Sequence, residues 1–62
     1  MSSREVISLL KADGWREVSH EGSHKHFKHP TKEGRVTVPS PARDLPPGTI
    51  KSIERQSGVK LR

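Results

Sequence analysis

Glycine and proline punctuate this chain so densely that each stretch between them has room for one helix or one short strand and no more. Gly14, Gly22, Gly34 and Gly58 stand where an apolar pattern stops, and Pro30, Pro39, Pro41, Pro46 and Pro47 fall between them. Glycine reaches left-handed backbone conformations and proline lacks an amide donor, so both end regular structure for steric reasons. Two helical segments and three β-prone runs remain.

Ser2 and Glu5 have the spacing of a capping box, which starts a helix. Val6, Leu9 and Leu10 recur at i, i+3 and i+4 with Ile7 widening the stripe, and Asp13 with Gly14 supplies the stop, so the first helix is predicted over about residues 3 to 13. Trp15 to Ser19 reads as a strand, and Ser23 to His29 as a second one closed by Pro30 and the turn-forming run Thr31 to Gly34. Arg35 to Val38 alternates polar and apolar before Pro39 ends it, giving two consecutive hairpins and an antiparallel meander. Ser40 to Gly48 is too rich in proline for regular structure. Pro47 then suits the first turn of a second helix, residues 47 to 57, with Ile50 and Ile53 inward and Gly58 as stop. Val59 and Leu61 are expected to fold back onto the core. The sequence therefore predicts an α+β fold: one small α-β-β-β-α domain over residues 1–62, a three-stranded antiparallel sheet with both helices on one face.

A chain of 62 residues buries only about 60% of the surface that its unfolded form exposes, so its core is thin. With no cysteine it has neither disulfides nor thiolate metal ligands, which fits a reducing compartment. Its first residues lead into a short apolar cluster, far below a signal-peptide core or a membrane span, and a cytoplasmic location is expected. Twelve Lys and Arg against seven Asp and Glu give a net charge of +5, which favours a polyanionic partner.

Strand parity gives those charges a direction. Phe27 shares a face with Ser23 and Lys25, while His24, His26 and Lys28 share the other. If Phe27, Val36 and Val38 pack under the helices, the opposite face is open and bears His24, His26 and Lys28, with Arg35 and Thr37 from the third strand. Histidine takes and gives a proton near neutral pH, and RNA brings its own nucleophile, the 2′-hydroxyl. One imidazole on a cationic surface is therefore enough for a small ribonuclease. His24 is the candidate catalyst, as general base or as general acid, and Gly22 allows close approach of a strand, with Ser23 as a turn residue. Lys25, His26, Lys28 and Arg35 are the candidate RNA-binding partners. Lys28, on the face of His24, is the best placed to meet phosphate charge. Lys51 and Arg55 add to the same attraction, although each of these cations taken alone reads as solvated surface. Trp15 and Phe27, the only aromatics, are needed in the core and leave no base-stacking platform. His24, His26 and His29 form an H-x-H-x-x-H run, but His29 has the other parity and no cysteine or carboxylate completes a closed set. Neither a metal nor another cofactor is expected.

The chain resembles the HicA family of toxins, the messenger-RNA-cleaving halves of bacterial toxin-antitoxin pairs. The likeness spans nearly all of it. It is carried by the leucine-bearing first helix running into Gly14 and Trp15, G-S-H-x-x-F at Gly22 to Phe27, V-T-V-P at Val36 to Pro39, and Asp44, Leu45, Pro46, Gly48 and Thr49 ahead of Ile50. The resemblance implies a fold like that of double-stranded-RNA-binding domains and metal-independent cleavage of messenger RNA with His24 as the family's catalytic histidine. It also implies a HicB-like antitoxin, with DNA reached only through the toxin-antitoxin complex. Many relatives carry a histidine directly after V-T-V-P, where this chain has Ser40; His26 and His20 are the other imidazoles near enough in sequence to substitute. Two other readings compete. A non-catalytic RNA-binding module would depend on the lysines and not on His24, and a DNA-binding repressor would need a helix-turn-helix pair that the intervening meander denies.

Overall fold

A computed structural model describes residues 1–61 and shows the order α1 (Ser3–Ala12), β1 (Arg16–Glu21), β2 (His24–Lys28), β3 (Val36–Pro39), α2 (Pro47–Ser57). The sheet is antiparallel with β2 in the centre, and both helices pack against β3. Phe27, Val36 and Val38 are fully buried beneath Val6, Leu10, Ile50 and Ile53, with Trp15, Leu45 and Leu61 closing the core. Each such side chain contributes about 1.5 to 3 kcal/mol by leaving water.

The expected capping box starts α1: Ser2 Oγ accepts from the Glu5 amide at 3.1 Å while the Ser2 amide donates to Glu5 Oε1 at 2.9 Å. Those two bonds hold the Glu5 carboxyl below its usual range. The buried stripe of α1 is Ser3, Val6 and Leu10. Leu9 is 39% exposed, contrary to the stripe read from the sequence. At 100° per residue it lies well off the line through Ser3, Val6 and Leu10, and a serine takes the inward place instead. α2 begins at Pro47 and ends at Gly58, whose φ of 71° is the left-handed stop expected of it.

β1 differs from expectation. It starts one residue later, after Trp15, and runs to Glu21, because Gly22 and Ser23 make a two-residue turn that lets pairing continue to the tip. Of the two turn residues, Gly22 has positive φ, at 58°, and Ser23 does not, which is the pattern of a type II′ hairpin. Val18 is bulged out between Glu17, paired with Phe27, and Ser19, paired with His26. It is 52% exposed and contributes nothing to the core, so its strand propensity serves only an edge.

Two polar ties hold the layers together. The segment after β3 is stitched to the start of α1: the Ser3 amide donates to the Ala42 carbonyl at 2.9 Å, the Ala42 amide to Ser3 Oγ at 3.0 Å, and the Leu45 amide to the Met1 carbonyl at 2.7 Å. At the other end Lys32, in the β2–β3 turn, donates to Asp13 Oδ2 at 2.7 Å and to the Ser57 carbonyl at 3.1 Å, joining the C-termini of both helices. Lys32 is the main reason the Asp13 carboxyl is held below its usual range.

A depressed folded-state pKa adds stability above the ordinary carboxylate value and loses it as the pH falls through the folded value. Stability should therefore decline in acid below about pH 4, and Asp13→Asn should flatten that decline. Denaturant melts across an acid series check this. An identical acid slope in the variant would show that the Asp13–Lys32 pair contributes nothing.

Candidate functional site

The register settles which side chains share the open face. Arg16 pairs with Lys28, Ser19 with His26 and Glu21 with His24, while on the other side of β2 His24 faces Pro39 and His26 faces Thr37. These positions alternate with the buried Phe27, Val36 and Val38, so they lie on the sheet surface that no helix covers. His24, His26, Lys28 and Thr37 are thus together as the parity argument expects, and Arg35, just before β3, is exposed. Arg16 is an addition that alternation alone misses. The bulge at Val18 reverses the parity of the first part of β1 and brings Arg16 beside Lys28.

His24 is the first residue of the central strand, directly after the Gly22–Ser23 turn, and it is exposed. Its imidazole takes part in no side-chain hydrogen bond among the described residues, so both ring nitrogens are unengaged. The backbone around it is fixed: the Ser40 amide donates to the Ser23 carbonyl at 2.6 Å, which extends the β2–β3 ladder past His24. A Cβ on Gly22 would meet nothing within 4 Å, so what glycine supplies there is its positive φ and an unobstructed surface.

His26 is the opposite case. Its Nδ1 lies 2.9 Å from Thr37 Oγ1 and its Nε2 lies 3.1 Å from Glu21 Oε1. The carboxylate can only accept, so Nε2 carries a proton, and the ring is a fixed strut across three strands with its side chain 14% exposed. His29 is also committed to structure. Its Nδ1 accepts from the Thr31 and Lys32 amides at 3.1 and 3.2 Å, which leaves Nε2–H to donate to the Asp13 carbonyl at 2.7 Å. The ring also packs edge-on against Trp15, centroids 5.2 Å apart. A Cβ on Gly14 would come within 2.8 Å of His29 Nε2, so glycine is needed there for space as well as for its φ of 108°. The H-x-H-x-x-H run is thereby divided: one free imidazole, one strut and one core tie.

The cations divide too. Lys28 shares the face of His24 but stands four residues along the strand, about 13 Å at the strand rise, so it meets a phosphate further along a bound chain than the one at His24. Lys25 lies on the helix side with Phe27, 3.8 Å from Glu17. His20, paired with Lys25, is on that side as well and does not supply a second imidazole beside His24.

The architecture and site define a small basic domain with an open sheet face and one unpartnered imidazole at the head of the central strand. Residues 3–59 match the family model described as HicA toxin of bacterial toxin-antitoxin, and the chain belongs to that family. It is similar to a chain of a solved HicA3 and HicB3 toxin-antitoxin complex, at 29% identity and a TM-score of 0.78, with both chains covered completely. No curated protein matches it. No helix among the described residues is long and apolar enough to cross a membrane.

The two histidine environments make a direct comparison. His24→Ala should leave unfolding free energy within about 0.5 kcal/mol of wild type, whereas His29→Ala should lower it by about 2 to 4 kcal/mol, since it opens a cavity and strands the Asp13 carbonyl. Urea titrations of both variants test the assignment, which fails if the two losses are equal.

Proposed function

We propose that this toxin is a metal-independent endoribonuclease that cleaves messenger RNA in the cytoplasm, with His24 as its catalytic residue. The observation that supports this most directly is the free imidazole of His24 on an open cationic face, next to two histidines whose nitrogens are already engaged. RNA needs little beyond such a group. The 2′-oxygen attacks the adjacent phosphorus, the P–O5′ bond breaks, and the products are a 2′,3′-cyclic phosphate and a free 5′-hydroxyl. His24 either takes the 2′-hydroxyl proton as the bond to phosphorus forms or gives a proton to the departing 5′-oxygen. Because the nucleophile belongs to the substrate, no metal-activated water is required.

The strand is held along the same face. Gly22 and Ser23 let its backbone come close to His24, His26 and Thr37 form a rigid floor, and Lys28, Arg16 and Arg35 attract phosphates further along. The regulating partner is a HicB-like antitoxin, a reading supported by the complex in which the similar HicA3 chain is found. An acidic surface laid over His24, His26 and Lys28 would occupy the phosphate positions and inhibit in competition with RNA, and any contact of the toxin with promoter DNA would run through that complex.

His24→Ala should abolish both RNA cleavage and growth arrest with the fold retained, and cleavage by the wild type should persist in EDTA. Product analysis by mass spectrometry should find the cyclic phosphate. A rate that falls at low pH identifies His24 as base and one that falls at high pH identifies it as acid. Cleavage by His24→Ala within a few-fold of wild type, or binding of RNA without cleavage by the wild type, would remove the enzymatic reading in favour of an RNA-binding module.

A further inference from the structure

A second cationic feature lies on the other side of the sheet. The start of α1 and the segment after β3 enclose a groove of about 760 Å³ lined by Ser2, Ser3, Arg4, Ile7, Lys25, Ser40, Pro41, Ala42 and Arg43. Three of these residues are cations and none is acidic. Arg4 and Arg43 form no ion pair among the described residues, and Lys25 has only the long approach to Glu17. Ser40 is 9% exposed, lines the groove, and its hydroxyl takes part in no hydrogen bond among the described residues. The amides of Ser2, Ser3 and Glu5 at the helix start are already engaged, so the side chains and not the helix terminus give the groove its character.

We propose that this groove seats a phosphodiester group of the RNA strand adjacent to the one at His24. The inference rests on RNA being the substrate, as argued above. Three positive side chains around the unpartnered, accessible hydroxyl of a nearly buried serine match a phosphate, whose oxygens accept from all four, and the apolar lining of Ile7, Pro41 and Ala42 suits the attached sugar. Position supports the same occupant. Lys25 directly follows His24 on β2 and Ser40 directly follows Pro39, its neighbour on β3, so consecutive residues of both strands point alternately to the open face and into the groove. A nucleic acid strand passing the Gly22–Ser23 end of the sheet meets His24 first and the groove next. The RNA therefore continues from the open face at His24 around the end of the central strand into the groove.

The test uses the full chain and single-stranded oligonucleotides of about eight residues, methylated at every 2′-oxygen so that the nucleophile is blocked, with affinity read by fluorescence anisotropy over a salt series. The double variant Arg4→Ala/Arg43→Ala should bind about tenfold more weakly, with a salt slope shallower by about 0.7 for each phosphate that is no longer neutralised. Ser40→Ala should weaken binding about threefold through the absence of one hydrogen bond and leave the salt slope unchanged. Circular-dichroism melts confirm that both variants fold. Unchanged affinity in the double variant overturns the proposal, and so does a double variant that loses binding only to an acidic protein partner. A weaker double variant with no change in Ser40→Ala reduces the effect to long-range attraction and overturns the seated phosphate. Wild-type protein that binds these oligonucleotides but leaves unmethylated RNA intact would contradict the cleavage chemistry while the groove measurement stands.

Discussion

Phe27, Val36 and Val38 are the sheet side chains that reach the core, and all three point toward the helices. A chain with this little apolar material can cover one side of a three-stranded sheet and no more. The other side must be built from residues that are stable in water, and here these are Arg16, Ser19, Glu21, His24, His26, Lys28 and Thr37. The open face is thus a consequence of the thin core. The proposed site occupies the surface that packing could not use.

A thin core also needs polar ties, and these explain why two of three neighbouring histidines are unavailable for chemistry. His29 joins the end of α1 to the β2–β3 turn, and Lys32 carries the same junction to the end of α2. The Trp15 indole N–H lies in this region, buried and without a hydrogen-bond partner among the described residues. His26 performs a similar service in the sheet, where Thr37 and Glu21 fix its ring. Of these three, only His24 is left with both nitrogens free among the described residues.

Local signals make much of this legible. Ser2 with Glu5, Pro47 at the start of α2 and Gly58 at its end each act through neighbours within a few residues, and each is where the sequence places it. The alternation through Phe27 puts His24, His26 and Lys28 on one face, as the register has them. What escapes depends on distant partners. The bulge at Val18 moves Arg16 onto the open face, and nothing in the sequence of β1 announces an extra residue. The tie through His29 needs Asp13 sixteen positions earlier, and the groove needs both Arg4 and Arg43 in its lining. Neither pairing has a spacing that can be read along the chain.

The contrast between a free His24 and a fixed His26 bears on how so small a domain could carry out the proposed cleavage. A larger active site orients its histidine with a buried carboxylate and presents a preformed geometry to the substrate. This chain has no interior to spare for such a support. Its alternative is to fix the backbone on both sides of His24, through Ser23 bonded to Ser40 and through the rigid strut at His26, and to let the RNA complete the alignment once its phosphates are held. The proposed catalysis then depends on how the strand is gripped as much as on the imidazole. On that reading an antitoxin need not distort the fold to silence it, because covering the proposed phosphate positions would remove the alignment on which His24 relies.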